Sequence, residues 1–232
     1  MDIAGILTLH GEGLLLSKSA YSMLEAAEEA RRNGLVVNLY AVFDRPTEQT
    51  IQMAPELKVS GFKVLECDFG DQGQVRNFAA RCVSEKYVAF LDGDDLWSFN
   101  WLCEAYSLAK KDASYVVHPE LNLFFNGSEN VVVHRDQRDD SFEMGYLRVA
   151  NYWDALCFAP RATYLDVPYA DRELKDGFAY EDWLWNCETI LKGYTHVVAR
   201  DTVIFKNRRL GSQTLASNIR RALIRDNELM KY

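Results

Sequence analysis

Nowhere in this 232-residue chain do about 18 apolar residues run together, and the N-terminus has no basic stretch leading into a long apolar one. Neither a membrane span nor a signal peptide is therefore expected. Cysteines are few and scattered: the five lie at positions 67, 82, 103, 157 and 187, with no C-x-x-C spacing. That pattern indicates neither a disulfide framework nor a zinc cluster. It fits a reduced, cytoplasmic setting, with peripheral association at the inner face of the cell membrane left open. Positive charge is in deficit, 26 Lys and Arg against 34 Asp and Glu, for a net charge of -8. Neutralising the phosphates of a nucleic acid needs a basic face, so a general nucleic-acid binder is excluded. A phosphate-bearing small ligand is not, because local arginines or a metal can supply the charge. With 5 prolines, 13 glycines and no repeat or low-complexity stretch, nothing divides the chain, and residues 1–232 read as one domain. Asn126-Gly127-Ser128 is then an incidental sequon.

What is present is an ordinary globular composition, 48% hydrophobic and 26% charged, enough for a real core. The first half alternates strand and helix signals. Ile3 to Leu9, Leu35 to Phe43, Phe62 to Cys67 and Val88 to Leu91 read as buried strands. Between them, Leu14 to Arg32 reads as a helix stopped by Asn33-Gly34, followed by a Pro46-led helical turn and a helix over Val75 to Val83. Such alternation predicts parallel strands with helices on both faces, an α/β sandwich. Beyond residue 98 the pattern loosens. Phe99 to Lys110 and Trp183 to Leu191 read as helices, and Ser114 to His118 as a short strand. Leu121 to Phe125 and Val131 to His134 read as a strand pair around Asn126-Gly127, Asp136 to Ser141 as a polar loop, and His196 to Phe205 as strand. A mixed-charge helix is expected over Leu215 to Met230.

Ligands of a parallel α/β sheet bind beyond the carboxyl ends of the strands. Asp44 and Asp92 both stand at such ends, where an aspartate is as readily a turn former or cap. The stretch YVAFLDGDDLW adds Asp94 and Asp95 after Gly93, three carboxylates on one turn. Like charges this close call for something positive or for full solvation. A divalent Mg²⁺ or Mn²⁺ ion takes one or two carboxylates and completes its shell with phosphate oxygens and water, which suits Asp92 and Asp94. A calcium loop would need further ligands and a distal glutamate that are not found. An aspartyl-phosphate hydrolase carries D-x-D on its first strand with Thr or Val two places on; here the strand is the fourth and Leu96 follows. Arg76, at a helix start, can reach a ligand phosphate or clamp an acidic neighbour. Glu181-Asp182 heads an apolar helix, where a carboxylate is favourable simply because the helix N-terminus is positive. Lys206-Asn207-Arg208-Arg209 with Gly211-Ser212-Gln213 suits a diphosphate, or is a solvated basic loop.

In register, five segments resemble glycosyltransferase family 2, the inverting GT-A enzymes: LTLHGEGLLL, VFDRPTEQT, QGQVRNFAA with YVAFLDGDD, GFAYEDWLW and RRLGSQT. The resemblance implies a Rossmann-like GT-A fold with a mixed, mainly parallel sheet flanked by helices. A nucleotide-sugar-binding half (1–97) would be fused to an acceptor-binding half (98–214), with a C-terminal helix over 215–232. It implies a nucleotide diphosphate sugar donor (UDP-, GDP- or dTDP-linked) and a glycan or lipid-linked glycan acceptor, in bacterial surface polysaccharide synthesis. Carried over to these positions, Thr8, His10, Glu12 and Asp44 would hold the nucleoside, and Asp92 with Gly93 the ribose or the region beside the metal. Asp94 would ligate the metal. Arg76, Arg208, Arg209 and Ser212 would face the diphosphate. Asp182 would be the general base, Glu181 would shape acceptor binding, and Trp153, in the aromatic stretch with Tyr146 and Tyr152, would stack on acceptor sugars or pack in the core. The common Pro-Thr-x-Asn end of the first strand is replaced by Thr8-Leu9-His10-Gly11-Glu12, and no Gln-x-x-Arg-Trp motif follows, which argues against a processive synthase. His118-Pro119-Glu120 would line the sugar pocket or form a structural turn. The rival readings are a nucleotide-sugar-binding module without turnover and an aspartate-dependent phosphatase.

Overall fold

The structure is a computed structural model that describes residues 2–127, 129–208 and 219–231. Its first half is built from β1 (Asp2–Leu9), α1 (Leu16–Arg32), β2 (Val36–Asp44), α2 (Glu48–Ile51), α3 (Ala54–Val59), β3 (Phe62–Cys67), α4 (Gln72–Cys82) and β4 (Tyr87–Asp92). β1 pairs in parallel with β2 on one side and β4 on the other, and β3 pairs in parallel with β2. β1 and β4 are buried along nearly their whole length, which is why they read as unbroken apolar runs, whereas edge strand β3 is partly exposed. α1 lays small residues, Ala20, Ala26, Ala27 and Ala30, against the sheet and ends at Gly34, whose φ of 79° gives the left-handed step that stops a helix.

The second half comprises β5 (Leu96–Trp97), α5 (Trp101–Ala109), β6 (Tyr115–Phe125), β7 (Val131–Val133), β8 (Phe158–Pro160), α6 (Arg161–Asp166), α7 (Glu181–Leu191) and β9 (Thr195–Asn207). All nine strands form one sheet in the order β3-β2-β1-β4-β8-β6-β9-β5, with β7 beside β6. The short antiparallel β8 bridges β4 to β6 and so joins the two halves. β6 and β9 run parallel. No helix among the described residues is long and apolar enough to cross a membrane.

The expected strand pair around Asn126-Gly127 is present as β6 and β7, but the short strand expected at 114–118 is continuous with it. Pro119 suggests a break because it cannot donate to a ladder; the sheet absorbs it instead as a register shift between Pro119 and Leu121. α3, β8 and α6 carry too short a pattern to be read beforehand. The helix expected over 215–230 falls partly outside the described residues. Among the described residues of this stretch only Ile219 is α-helical, and 220–231 hold just a 3-10 turn at Glu228–Met230. This stretch laces onto the loop before α7: Leu223 N donates to Gly177 O (2.8 Å), and Ala179 N donates to Leu223 O (3.0 Å). Arg225 pairs with Glu173 at 2.8 Å.

His118 neither lines a pocket nor forms a turn. It is fully buried in β6, its Nε2 2.8 Å from His196 Nδ1, and both rings stack on Trp153. Thr189 Oγ1 lies 2.8 Å from His196 Nε2, while His134 Nδ1 donates to Pro119 O at 3.0 Å. Burial pushes the His196 imidazole down to about 3 and holds those of His118 and His134 below the ordinary histidine value. As pH falls below about 6.5 the unfolded chain takes up a proton that the folded one refuses, so the stability His196 contributes is present above that pH and lost toward acid. The gap in unfolding free energy between wild type and His196→Gln should therefore shrink from about pH 7 to about pH 5, as read by denaturant titration.

Candidate active site

The parallel register sets Thr8 opposite Asp92 and Leu9 opposite Phe43, so Thr8, Asp44 and Asp92 emerge at one edge of the sheet. Asp44 turns its carboxylate to the backbone: Oδ1 accepts from Phe69 N (2.7 Å), and Oδ2 from Gly70 N (2.8 Å). It thereby folds the loop after β3. His10 donates from Nδ1 to Asp44 O (2.8 Å), and Glu12 Oε2 accepts from His10 N (2.6 Å), so Thr8, His10, Glu12 and Asp44 do gather at adjoining strand ends. Gly93 makes the next turn possible. Its N–H donates to Thr8 O at 3.0 Å, and a Cβ there would sit 2.5 Å from Leu9 Cδ2. Asp94 is half-buried on this turn.

The three carboxylates of the turn part company. Asp95 points inward, where Oδ1 accepts from Asn207 N (2.8 Å) and Oδ2 pairs with Lys206 Nζ (2.7 Å). The same ammonium lies 3.3 Å from Asp154 and 3.9 Å from Asp92 Oδ2. Asp92 Oδ1 accepts from the Thr8 hydroxyl (3.1 Å), Gln72 Nε2 (2.5 Å) and Arg76 Nη2 (3.0 Å). Arg76 extends its other terminal nitrogen to Glu181 Oε1 (3.4 Å), and Arg172 Nε lies 3.3 Å from Glu181 Oε2. Arg76 is thus the clamp on acidic neighbours that its position allowed, and Lys206 the positive partner that the aspartate turn required. Burial works against Asp154, yet Lys206 and His134 hold its carboxyl down at about 2.

Across from Asp92, Tyr180 takes a left-handed φ of 63° and caps the head of α7, which presents Glu181 and Asp182. The two differ in company. Glu181 has two arginines; Asp182 Oδ1 accepts only from Trp183 N (2.9 Å), with no cation at ion-pairing distance among the described residues. Burial, then Glu181 and Asp154, push the Asp182 carboxyl up to about 7, while Arg76 pulls the other way. A carboxyl so poised is a proton acceptor at neutral pH.

These groups enclose a cavity of about 300 Å³. Gln72, Arg76 and Asp92 wall it from the first half, and Asp154, Glu181, Asp182 and Lys206 from the second, with Tyr152, Tyr180, Trp183 and Arg208 among the rest of its lining. Arg208 is exposed, its guanidinium 4.3 Å over the Phe124 ring. Trp153 reaches the cavity but is 3% exposed, its indole donating to Arg135 O (2.7 Å) and stacked on the buried histidines, so core packing dominates. Thr8, His10, Glu12, Asp44, Gly93 and Asp94 lie outside this lining, and Arg209 and Ser212 lie outside the described residues. Asp154, Gln72 and Arg172 carried no sequence signal; Asp154 stands just before β8, a three-residue strand with no period to read.

A divalent cation fits the turn unevenly. Asp92 Oδ1 already accepts from three donors and Oδ2 faces an ammonium, so Asp92 does not fit as a direct ligand. Among the described residues no three His, Cys, Asp or Glu side chains form a metal-holding group. A cation on Asp94 would therefore draw much of its shell from substrate oxygens and water, as hard cations at phosphates do.

The structure of residues 1–349 of S. aureus TarS in complex with UDP-GlcNAc superposes with a TM-score of 0.68 at 19% identity, covering 93% of this chain and 61% of that one. GalNAc-T7 with UDP, GalNAc and Mn²⁺ gives 0.65 at 12% identity, covering 90% and 44%. Full TarS gives 0.67 at 16% identity, and this chain spans 37% of it. The fold is that of the GT-A glycosyltransferases. A profile of glycosyl transferase family 2 matches residues 7–162, from the end of β1 into α6, and the chain belongs to that family. No curated protein matches it.

Replacing Lys206 with Met should cost about 3–5 kcal/mol by stranding buried Asp95 and half-buried Asp154. Asp95→Asn in the same chain should recover part of that loss in denaturant titrations, since the two changes share one network.

Proposed function

We propose that this protein is an inverting glycosyltransferase that moves a sugar from a nucleotide diphosphate donor to a hydroxyl of a glycan or lipid-linked glycan. Bacterial surface polysaccharide synthesis is the setting. The observation that carries this reading is the pairing of two unlike acidic sites across one cavity: Asp92, held among cations, and Asp182, half-buried and with no cation at ion-pairing distance among the described residues. UDP is the first donor nucleotide to test, since the TarS and GalNAc-T7 structures hold UDP or a UDP-sugar.

In this reading the acceptor oxygen attacks the anomeric carbon from the face opposite the diphosphate. The bond from that carbon to the phosphate oxygen breaks, the nucleoside diphosphate leaves, and the configuration inverts. Asp182 takes the acceptor's proton, and Glu181, fixed by Arg76 and Arg172, shapes the place of the incoming hydroxyl. Arg208, at the cavity, faces the leaving group in this reading, and so do Arg209 and Ser212, which lie outside the described residues. A Mn²⁺ or Mg²⁺ ion, held by Asp94, would supply Lewis-acid stabilisation of the diphosphate. Thr8, His10, Glu12 and Asp44 bound the nucleoside, and Tyr152 the acceptor, while Trp153 backs that wall from the core. The phosphatase alternative lacks a free nucleophile, because Asp92 Oδ1 accepts from three donors.

Asp182→Asn should lower turnover by about 10²–10⁴-fold while leaving UDP affinity unchanged; ordinary turnover would remove Asp182 as the base. Calorimetric titration with UDP, GDP and dTDP, with and without Mn²⁺, should find one nucleotide whose binding weakens without metal or in Asp94→Ala. Because the base must be deprotonated, wild-type rate should climb with pH through about 7 and level off above it.

A further inference from the structure

Among the described residues, Lys206 and Arg76 each touch acidic groups on both sides of the cavity, and Arg76 is the one that ties Asp92 to the head of α7. Its side chain is 2% exposed, and its two terminal nitrogens reach Asp92 Oδ1 at 3.0 Å and Glu181 Oε1 at 3.4 Å. Its Cζ lies 5.6 Å from the Tyr169 ring centroid, and its Nε has no partner. α4 thus sends a single charge between the end of β4 and the head of α7. We propose that Arg76 is a positioning residue that couples the donor side to the acceptor side: one buried guanidinium holds Asp92 and Glu181 together and so fixes the head of α7, on which Asp182 stands. Its charge also acts on Asp182 beside Glu181. This rests on the reading of Asp182 as the base.

The geometry requires arginine. A planar fork spans two carboxylates that a lysine ammonium, a single point charge, cannot hold at once. Among the described residues, the groups whose charge acts on Asp182 are Glu181 on α7, Asp154 ahead of β8, the Tyr169 phenol and Arg76 from α4. Arg172 and Lys206 act one step away, through Glu181 and Asp154. Of these four groups only Arg76 is a cation. It is also the one that feels Asp92, so a ligand that changes the charge around Asp92 changes the field at Asp182.

The test needs no substrate. The full chain is titrated while the carboxylic-acid C=O absorption is followed in the infrared, and the band missing from Asp182→Asn reports Asp182. In Arg76→Gln its midpoint should rise by about one pH unit, and in Arg76→Lys by less. The pH limb of turnover should move with it, whereas a merely structural loss would change rate without moving the limb. Circular dichroism identifies which variants fold; if Arg76→Gln does not, Arg76→Lys carries the test. A midpoint that stays in place in a folded variant overturns the proposal. The transferase reading fails separately, if wild type neither binds UDP, GDP or dTDP nor turns over UDP-N-acetylglucosamine, and the infrared result stands either way.

Discussion

Carboxylates brought out of water must be compensated, and the middle of this molecule is arranged around that requirement. Asp92, Asp154, Glu181 and Asp182 line one cavity with Asp95 buried beside it, served by Lys206, Arg76 and Arg172. The cations are shared rather than paired off. Lys206 spans three aspartates, Asp92 and Asp95 of one turn and Asp154 ahead of β8, Arg76 joins the end of β4 to the head of α7, and Asp182 has no cation at ion-pairing distance among the described residues. Asp182 remains basic because its neighbours' demands are met first, and the same deficit of positive charge makes the cavity receptive to an incoming cation.

The sheet supplies the distances. β4 ends at Asp92, β9 ends beside Lys206 and Asn207, and β8 fills the gap between β4 and β6. The β5–β9 pairing, with Leu96 opposite Phe205, sets Asp95 beside Lys206 and holds their 2.7 Å contact. The buried imidazoles behind Trp153 serve a related end. They stay neutral, so they add hydrogen bonds to the wall without adding charge to a region that already balances many.

Most of the first half could be read from the chain itself, because strands buried on both faces and helices of three or more turns leave long patterns. Asp92 and Asp182 were likewise legible, each at the end of an apolar element where a charge has to be explained. Lys206 was visible as a cation but not as the partner of Asp95, since that pairing depends on a sheet order no local pattern encodes. Asp154 and Arg172 were invisible for the same reason, and the C-terminal stretch misled because mixed charge at helical spacing does not reveal that its backbone bonds to the loop at 177–179. Local sequence speaks for elements; charge networks belong to topology.

That last contact bears on how the protein matures. The ribosome delivers β1 to β4 long before Leu223, yet the loop leading to Glu181 and Asp182 is tied down by Leu223 and Arg225. A nascent chain can assemble its parallel core early and still lack a finished wall on the far side of the cavity. That wall is completed only after the stretch around Leu223 and Arg225 has been made and can close on work begun by the first strands.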